Sequence, residues 1–288
     1  MSSRTEGFII TSSPHITAPT STRGIMLAVI ATLLPAAVAS VFFFGAHVLF
    51  LYVVSVAVAM ATEAAVKIAR RRDWRSITDG SAALTGVLLV MVLPPTASPL
   101  LVAIGAAVAI FIGKEVFGGL GANIFNPALV GRAFLSASYP VQMTDYVDPQ
   151  PVFSFLTGGA DAGTQATPLA AARFEGVRVP NIELFFGQTG GSIGETSTLF
   201  LLIGGLALIA MRLINWRLVV SYLGTVFVLG GIFYLADPSA YPDPVFHLLS
   251  GGLIIAAFYM ATDMVTSPYT SIGNVIFGVG AGIIVIVI

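Results

Sequence analysis

The chain has 288 residues, 56% of them hydrophobic and only 9% charged, against about 25% charged in soluble domains. That composition predicts an all-α polytopic membrane protein. Its net charge of −1 comes with no basic patch among interleaved aromatics, so nothing suggests nucleic acid, and the lack of cysteine excludes disulfides, thiolate zinc sites and cysteine-held iron–sulfur clusters in this chain.

Residues 1–24, "MSSRTEGFIITSSPHITAPTSTRG", form a polar amino-terminal segment. From Gly24 to Thr62 there is no Asp, Glu, Lys or Arg, a run about twice the roughly 20 residues that cross a bilayer. It predicts two helices meeting near Gly45. "AVAS" (37–40) has the small residues of a cleavage site, but "VFFFG" extends the apolar run, so the first span is expected to stay. After the basic "KIARRRDWRS" (67–76), a second uncharged run from Gly80 to Gly113 is broken by "PPTASP" into spans 3 and 4, because proline pairs end helices. "GKEVFGGLGANIFNPALVGRAFLSASYP" (113–140) reads as an irregular, glycine-rich entry into a short span 5. The chain is then polar to about Glu195. Spans 6 and 7 flank "MRLINWR" (211–217), span 8 runs from about Val245 to Ala261, and a ninth starts near Gly273. The divisions are therefore 1–24, membrane helices 1–5 in 25–139, a long loop at 140–195, and helices 6–9 in 196–288. "GAGIIVIVI" stops in mid-span, so a tenth span is expected beyond it.

Five spans before the loop fix an orientation. With the amino terminus cytoplasmic, all of the 13 Lys and Arg residues except Arg173 and Arg178 fall on the inner side, Arg132 and Lys114 among them. The loop, and Thr167 within it, then faces away from the cytoplasm.

Three stretches invite a ligand. In "GADAGTQATPLAAARF" (159–174), Thr167 stands among small residues before Pro168. It can cap a short helix that starts on proline, or offer an accessible hydroxyl for modification. In "GGSIGETS" (190–197), glycines permit close backbone approach, and Gly194, Glu195, Thr196 and Ser197 lie where span 6 begins. Free amides there suit a phosphate or ring carbonyls; the alternative is an ordinary cap. In "GGLGANIFNPA" (118–128), irregular backbone near the membrane requires a protein-lined or cavity-lined setting. Asn123 and Asn126, three apart, are expected on one helical face, either offering amides to a polar ring or packing helices. Among ionisable residues, Glu63 and Lys67 read as a paired helix end or part of an ion path, Lys114 and Glu115 as anchors at the inner interface, and Asp263 as a turn cap or cation contact. His15, His47 and His247 show no metal-ligand spacing, and no catalytic residue stands out.

"DAGTQAT" (161–167) resembles the Asp-x-x-Ser/Thr-x-Ala-Thr signature at which an extracytoplasmic flavin transferase esterifies the last threonine with FMN, matched here by Asp161, Thr164 and Thr167. With "SSPH" (12–15), "GKEVFGGLGANIFNPALVGRAF", "PVQMT" (140–144), "QATPL", "GGSIGETS", "HLLSGG" and "ATDMVTSP" (261–268) in order, nearly the whole chain is similar to the NqrB/RnfD family. That family holds the D subunit of the Rnf electron-transport complex (RnfD) and the B subunit of the Na⁺-translocating NADH:quinone reductase. The short amino-terminal segment favours the former.

The resemblance implies covalent FMN on Thr167, with Asp161, Thr164 and Gly194 to Ser197 nearby. It also implies noncovalent riboflavin at Gly118, Gly119, Asn123 and Asn126, and ten helices that allow two inverted five-helix halves. The implied function is electron carriage in a ferredoxin:NAD oxidoreductase coupled to Na⁺ or H⁺, as one subunit of a translocase without complete activity alone. Implied partners are an FMN-bearing subunit, membrane iron–sulfur subunits, a cytoplasmic NAD-reactive flavoprotein and the flavin transferase, in a bacterial or archaeal cytoplasmic membrane. The rival readings are a transporter or channel without redox chemistry, and a structural membrane subunit.

Overall fold

The computed structural model describes residues 21–72, 74–149, 166–187, 189–195 and 198–288. Helix α1 (Thr22–Phe44) begins on Ser21, whose hydroxyl accepts from Gly24 N at 3.1 Å. It ends at Gly45, where φ is 85°, and α2 (Ala46–Ala69) follows at once. A positive φ is cheap only for glycine, so the interior glycine of the long apolar run sits where the run divides. A 3₁₀ turn (Trp74–Asp79) leads into α3 (Ser81–Met91). Helix α4 (Pro99–Ile110) is capped by Ser98 and runs into a π turn (Phe111–Glu115). After the glycine-rich connection come α5 (Pro127–Ser138) and the short α6 (Pro140–Met143).

Beyond the polar region lie α7 (Pro168–Ala170) with a π turn (Ala171–Glu175), then α8 (Asn181–Phe186). The second membrane series is α9 (Thr198–Ala210), α10 (Trp216–Ala236), α11 (Pro244–Leu249), α12 (Leu253–Ile255) with a third π turn (Ala256–Met260), and α13 (Ser271–Val287). No β-strand occurs among the described residues. The expected spans fall on these helices, with one correction: span 8 is not continuous but broken at 250–252.

Apolar side chains cover both the inside and the outside. Leu33, Leu51, Leu89, Ile110 and Leu201 are buried, while Leu49, Phe50 and Val53 on α2, and Val228, Ile232 and Leu235 on α10, are exposed. An exposed apolar belt of this extent requires lipid, and the chain is a multi-pass membrane protein. Among the described residues, α1, α2 and α10 are long and apolar enough to cross unaided. Small residues bring the helices close, as membrane packing favours: Ser55 Oγ donates to Gly86 O at 2.8 Å, and a Cβ at Gly131 would sit 2.7 Å from Gly105 O.

Helix α3 stops short. At 11 residues it is roughly 16 Å long, about half the ~30 Å hydrocarbon core. Its terminal carbonyls would be costly there without partners. They are met by a distant segment: Gly194 N donates to Met91 O at 2.6 Å and Ile193 N to Leu93 O at 3.0 Å. The Arg132 guanidinium donates to Val92 O. Part of the 140–195 stretch is thus packed into the helical core, with Ile193 fully buried against the end of α3.

Candidate functional site

Two clusters, one at each end of α3, collect the polar groups. The first lies at the end where Ile193 and Gly194 cap the helix. Thr167, half-buried at φ −62° and ψ 155°, accepts from Ala170 N at 3.3 Å, with Pro168 in the first helical position. The expected capping geometry is thus present. Two residues on, Leu169 Cδ1 lies 3.2 Å from where a Cβ on Gly251 would stand. On the far side of that glycine pair, Glu195 Oε1 lies 3.8 Å from the Cβ position of Gly252 and accepts from Ser192 Oγ at 2.7 Å. Tyr146 joins the cluster. Burial pushes its phenol above the usual range, against the neighbouring Arg132 charge, while Glu195 adds to the rise.

Leu169 and Arg173 line a cavity of about 630 Å³ with Phe233, Tyr241, His247 and the end of α13, residues 285–288. A second cavity of about 240 Å³ adjoins it through Leu169 and His247 and reaches Ser250, Gly251 and Gly252.

Two expectations are corrected here. The backbone amides of Gly194 and Glu195 are not free for a ligand, because Gly194 N donates to Met91 O and Glu195 N to Ser192 O at 2.9 Å. Arg132 belongs to this end rather than with Lys114, since its guanidinium reaches Val92 and Tyr146. Asp161, Thr164, Thr196 and Ser197 lie outside the described residues.

At the other end of α3, the carboxylate of Glu63 is held between two ammonium groups, Lys67 Nζ at 2.5 Å and Lys114 Nζ at 2.9 Å. Lys114 also donates to Ser81 Oγ at 2.6 Å. Glu63 is fully buried and Lys114 and Glu115 are 1% exposed, so the expected interface anchoring by Lys114 and Glu115 is wrong. The reason is the π turn at 111–115, whose extra residue turns both side chains inward. Gly113 permits it, since a Cβ there would meet Pro127 Cα at 2.9 Å. The Glu63–Lys67 pairing is as expected, with Lys114 added. The guanidinium of Arg70 donates to Glu115 O at 2.5 Å.

Lys114, Ser81, Thr85, Asn123, Asn126, Thr262 and Asp263 line a third cavity, closed on its apolar sides by α1, Phe258 and Tyr259. Asn123 and Asn126 are brought together, but not on a helical face: both lie in the irregular connection before α5. Asn126 caps that helix, its Oδ1 accepting from Ala128 N at 3.0 Å, while its Nδ2 donates to Met260 O at 3.3 Å. Asn123 Oδ1 is buried without a partner. Gly118 and Gly119, at φ 125° and 100°, shape the turn after Lys114 without lining the cavity. Asp263 accepts from Val265 N and Thr266 Oγ1 at 3.3 and 3.2 Å; burial raises its carboxyl, and these bonds oppose the rise. The cavity measures about 80 Å³, below the roughly 300 Å³ at which small-molecule pockets begin. Its donor set suits the polar edge of a heteroaromatic ring, and Leu120 and Met264 stand exposed at its rim, but a whole tricyclic ring does not fit the space as it stands.

Sequence reasoning missed the cavity-lining roles of His247, Ser250, Ser81, Thr85 and Thr262. An apolar stretch with a single polar side chain gives no sign of which cavity that side chain lines.

The sequence model of the NQR2, RnfD, RnfE family matches residues 9–288. The D subunit of the proton-translocating ferredoxin:NAD(+) oxidoreductase complex of Clostridium ljungdahlii is 45% identical, over 96% of this chain and 84% of that protein. The D subunit of the Na(+)-translocating ferredoxin:NAD(+) oxidoreductase complex of Acetobacterium woodii is 42% identical, over 97% and 84%. The D subunit of an ion-translocating oxidoreductase complex of Stutzerimonas stutzeri is 38% identical, over 92% and 82%. With the family matched over nearly its whole length, this chain belongs to the NQR2, RnfD, RnfE family.

Proposed function

We propose that this chain is the D-type membrane electron carrier of an Rnf-type ferredoxin:NAD oxidoreductase coupled to Na⁺ or H⁺, and that Thr167 carries FMN through a phosphodiester. Its relatives are subunits of ion-translocating oxidoreductase complexes, and this chain is an enzyme subunit of that kind. Two of them are named for different ions, so both ions stay in the reading. The observation that carries it is that Leu169, two residues after Thr167, packs against Gly251 while Glu195 packs against Gly252, so that the Thr167 turn and Glu195 meet the same glycine pair at one end of α3.

In this reading Thr167 Oγ1 supplies the attachment oxygen, the glycines and alanines before it admit the transferase, and Asp161 and Thr164 are the signature positions near the FMN. Flavin, when bound, exchanges electrons singly or in pairs, which matches iron–sulfur partners to a two-electron acceptor. At the other end of α3, Asn123 offers its unpartnered carbonyl, with Lys114, Thr85 and Thr262 beside it, to a noncovalent riboflavin. The two ends are roughly 16 Å apart along α3, which divides a ~30 Å crossing. Glu63 and Asp263 border this inner region and are the acidic groups of an ion path.

The proposed setting is the cytoplasmic membrane of a bacterium or archaeon, amino terminus inside and Thr167 outside. The partners are an FMN-bearing subunit, membrane iron–sulfur subunits and a cytoplasmic NAD-reactive flavoprotein. The packing supports nine crossings in two inverted halves: α2 packs on α3 and α4 as α10 packs on α11 and α13, with α1 against α9 between them.

The test is flavin fluorescence of the denatured band on a gel, from a host with the transferase. Wild type is expected to fluoresce and Thr167→Ala to be dark. A dark wild-type band sinks the redox reading, and a bright variant moves the attachment elsewhere.

A further inference from the structure

We propose that the arginines gathered where α1 starts and α9 gives way to α10 bind the headgroup of an anionic phospholipid, with Arg23 and Arg212 holding its phosphate and Trp216 at the interface beside it.

The packing of α1 on α9 assembles the site. Ile25 and Met26 of α1 line the same cavity as Leu208 of α9 and Leu213 and Ile214 just after it. Arg23 therefore stands at the same end of the bundle as Arg212 and Arg217. Arg23 and Arg212 are exposed, and neither guanidinium has a partner among the described residues. Asp263, the acidic residue on that cavity, is turned instead to Val265 N and Thr266 Oγ1.

Arg212 has φ 56°, in the left-handed region that glycine enters at little cost and other residues avoid. It directly follows the last turn of α9. Arg212 N donates to Ile209 O at 2.9 Å and Leu213 N to Leu208 O at 3.0 Å, the pair of bonds with which helices commonly end on glycine. A cation serving only the helix dipole could stand in the last turn, on ordinary backbone. The arginine is placed beyond it, where its side chain leaves the bundle. Arg71 repeats the arrangement after α2, at φ 55°, with Arg71 N donating to Ile68 O and Arg72 N to Lys67 O. Its neighbours Arg70 and Arg72 donate to the carbonyls of Glu115 and Gly118, whereas Arg71 is exposed with no partner among the described residues.

Arg217 is fixed beside Arg212. Its guanidinium lies 5.5 Å from the centre of the exposed Trp216 ring, and its Nη1 donates to Ser271 Oγ at 2.6 Å. Tryptophan favours the membrane–water boundary. Leu27, Leu206 and Val220, within two turns of these arginines, are exposed and offer acyl chains an apolar surface. Arginine forks match phosphate oxygens, and basic pockets between membrane helices take anionic headgroups. A soluble phosphate has the same oxygens but nothing to cover that apolar surface, so the lipid is the better fit.

The chain has two tryptophans, so Trp74→Phe leaves Trp216 as the only indole emitter. The full chain carrying that substitution is reconstituted into vesicles of phosphatidylcholine and phosphatidylglycerol in one fixed ratio. Equal molar amounts of brominated lipid, which quenches indole on contact, are supplied as one species or the other. Each basic group at the surface favours anionic lipid by about fivefold, and brominated phosphatidylglycerol is expected to quench Trp216 about twofold more than brominated phosphatidylcholine. Arg23→Gln with Arg212→Gly is expected to bring the two quenchers level. Because glycine is the easier residue at φ 56°, this variant is expected to unfold no earlier than its parent in neutral detergent, which separates lost selectivity from lost folding. Equal quenching in the parent protein overturns the site. Selectivity that survives the double substitution overturns the roles of Arg23 and Arg212. Selectivity abolished by inorganic phosphate at millimolar concentration assigns the arginines to a soluble anion and overturns the lipid.

Discussion

At the scale of single residues, the buried Glu63 is the clearest consequence of local chemistry. Its fully buried carboxylate is the counter-charge of two ammonium groups. Removing one partner from a buried pair leaves an uncompensated charge and costs about 3–5 kcal/mol. Glu63→Gln is therefore expected to lower the midpoint of thermal unfolding in detergent strongly. Lys114→Met is expected to lower it less, because Glu63 keeps Lys67. Equal losses, or the reverse order, would show that the cluster is not organised around Glu63. The sequence shows the Glu63–Lys67 spacing directly, since i and i+4 meet on any helix. It hides Lys114, whose direction depends on one extra residue in the π turn. Thr167 is legible for a related reason: a cap followed by proline is a local pattern, and the fold reproduces it.

At the scale of elements, what was legible is what short-range punctuation marks. The proline pair ending α3, Gly45 between α1 and α2, and the irregular entry to α5 all stand where the residues put them. The break at 250–252 was not legible, because "HLLSGGLIIAAFYMA" is as apolar as an unbroken span. Nor was the capping of α3 by residues 193–194, a contact across about a hundred positions that no local pattern encodes. That contact has a sharp dependence on size. A Cβ at Gly194 would stand 2.7 Å from Met91 O, so Gly194→Val forces the capping segment away from α3 and costs about 1–3 kcal/mol by overpacking. The expected result is an earlier unfolding midpoint and faster proteolysis near residue 190. As a control, a Cβ at Gly231 meets nothing within 4 Å, and Gly231→Ala is expected to stabilise by about 0.5–1 kcal/mol. A Gly194→Val protein as stable as wild type would mean that the cap is dispensable.

For the whole molecule, the polar clusters at the two ends of α3 give it two chemically different faces. Arg70, Lys67 and Lys114 gather at one, and Thr167, Arg132 and Glu195 at the other. Moving Arg132 to the second face leaves the charge asymmetry pointing the same way. The chain has no cysteine, so single cysteines report sidedness cleanly. Val177→Cys, exposed beyond α7, is expected to react with an impermeant maleimide in intact cells, and Met211→Cys, exposed between α9 and α10, only after lysis. The opposite pattern would invert the molecule and place Thr167 where an extracytoplasmic transferase could not reach it.

The central claim is the attachment of FMN to Thr167, and the most direct measurement is the mass of the tryptic peptide between Arg132 and Arg173, fragmented to locate any addition. The expected result is the unmodified mass plus one FMN less one water, carried on Thr167. An unmodified peptide from protein matured with its transferase, or an addition on another residue, would contradict it.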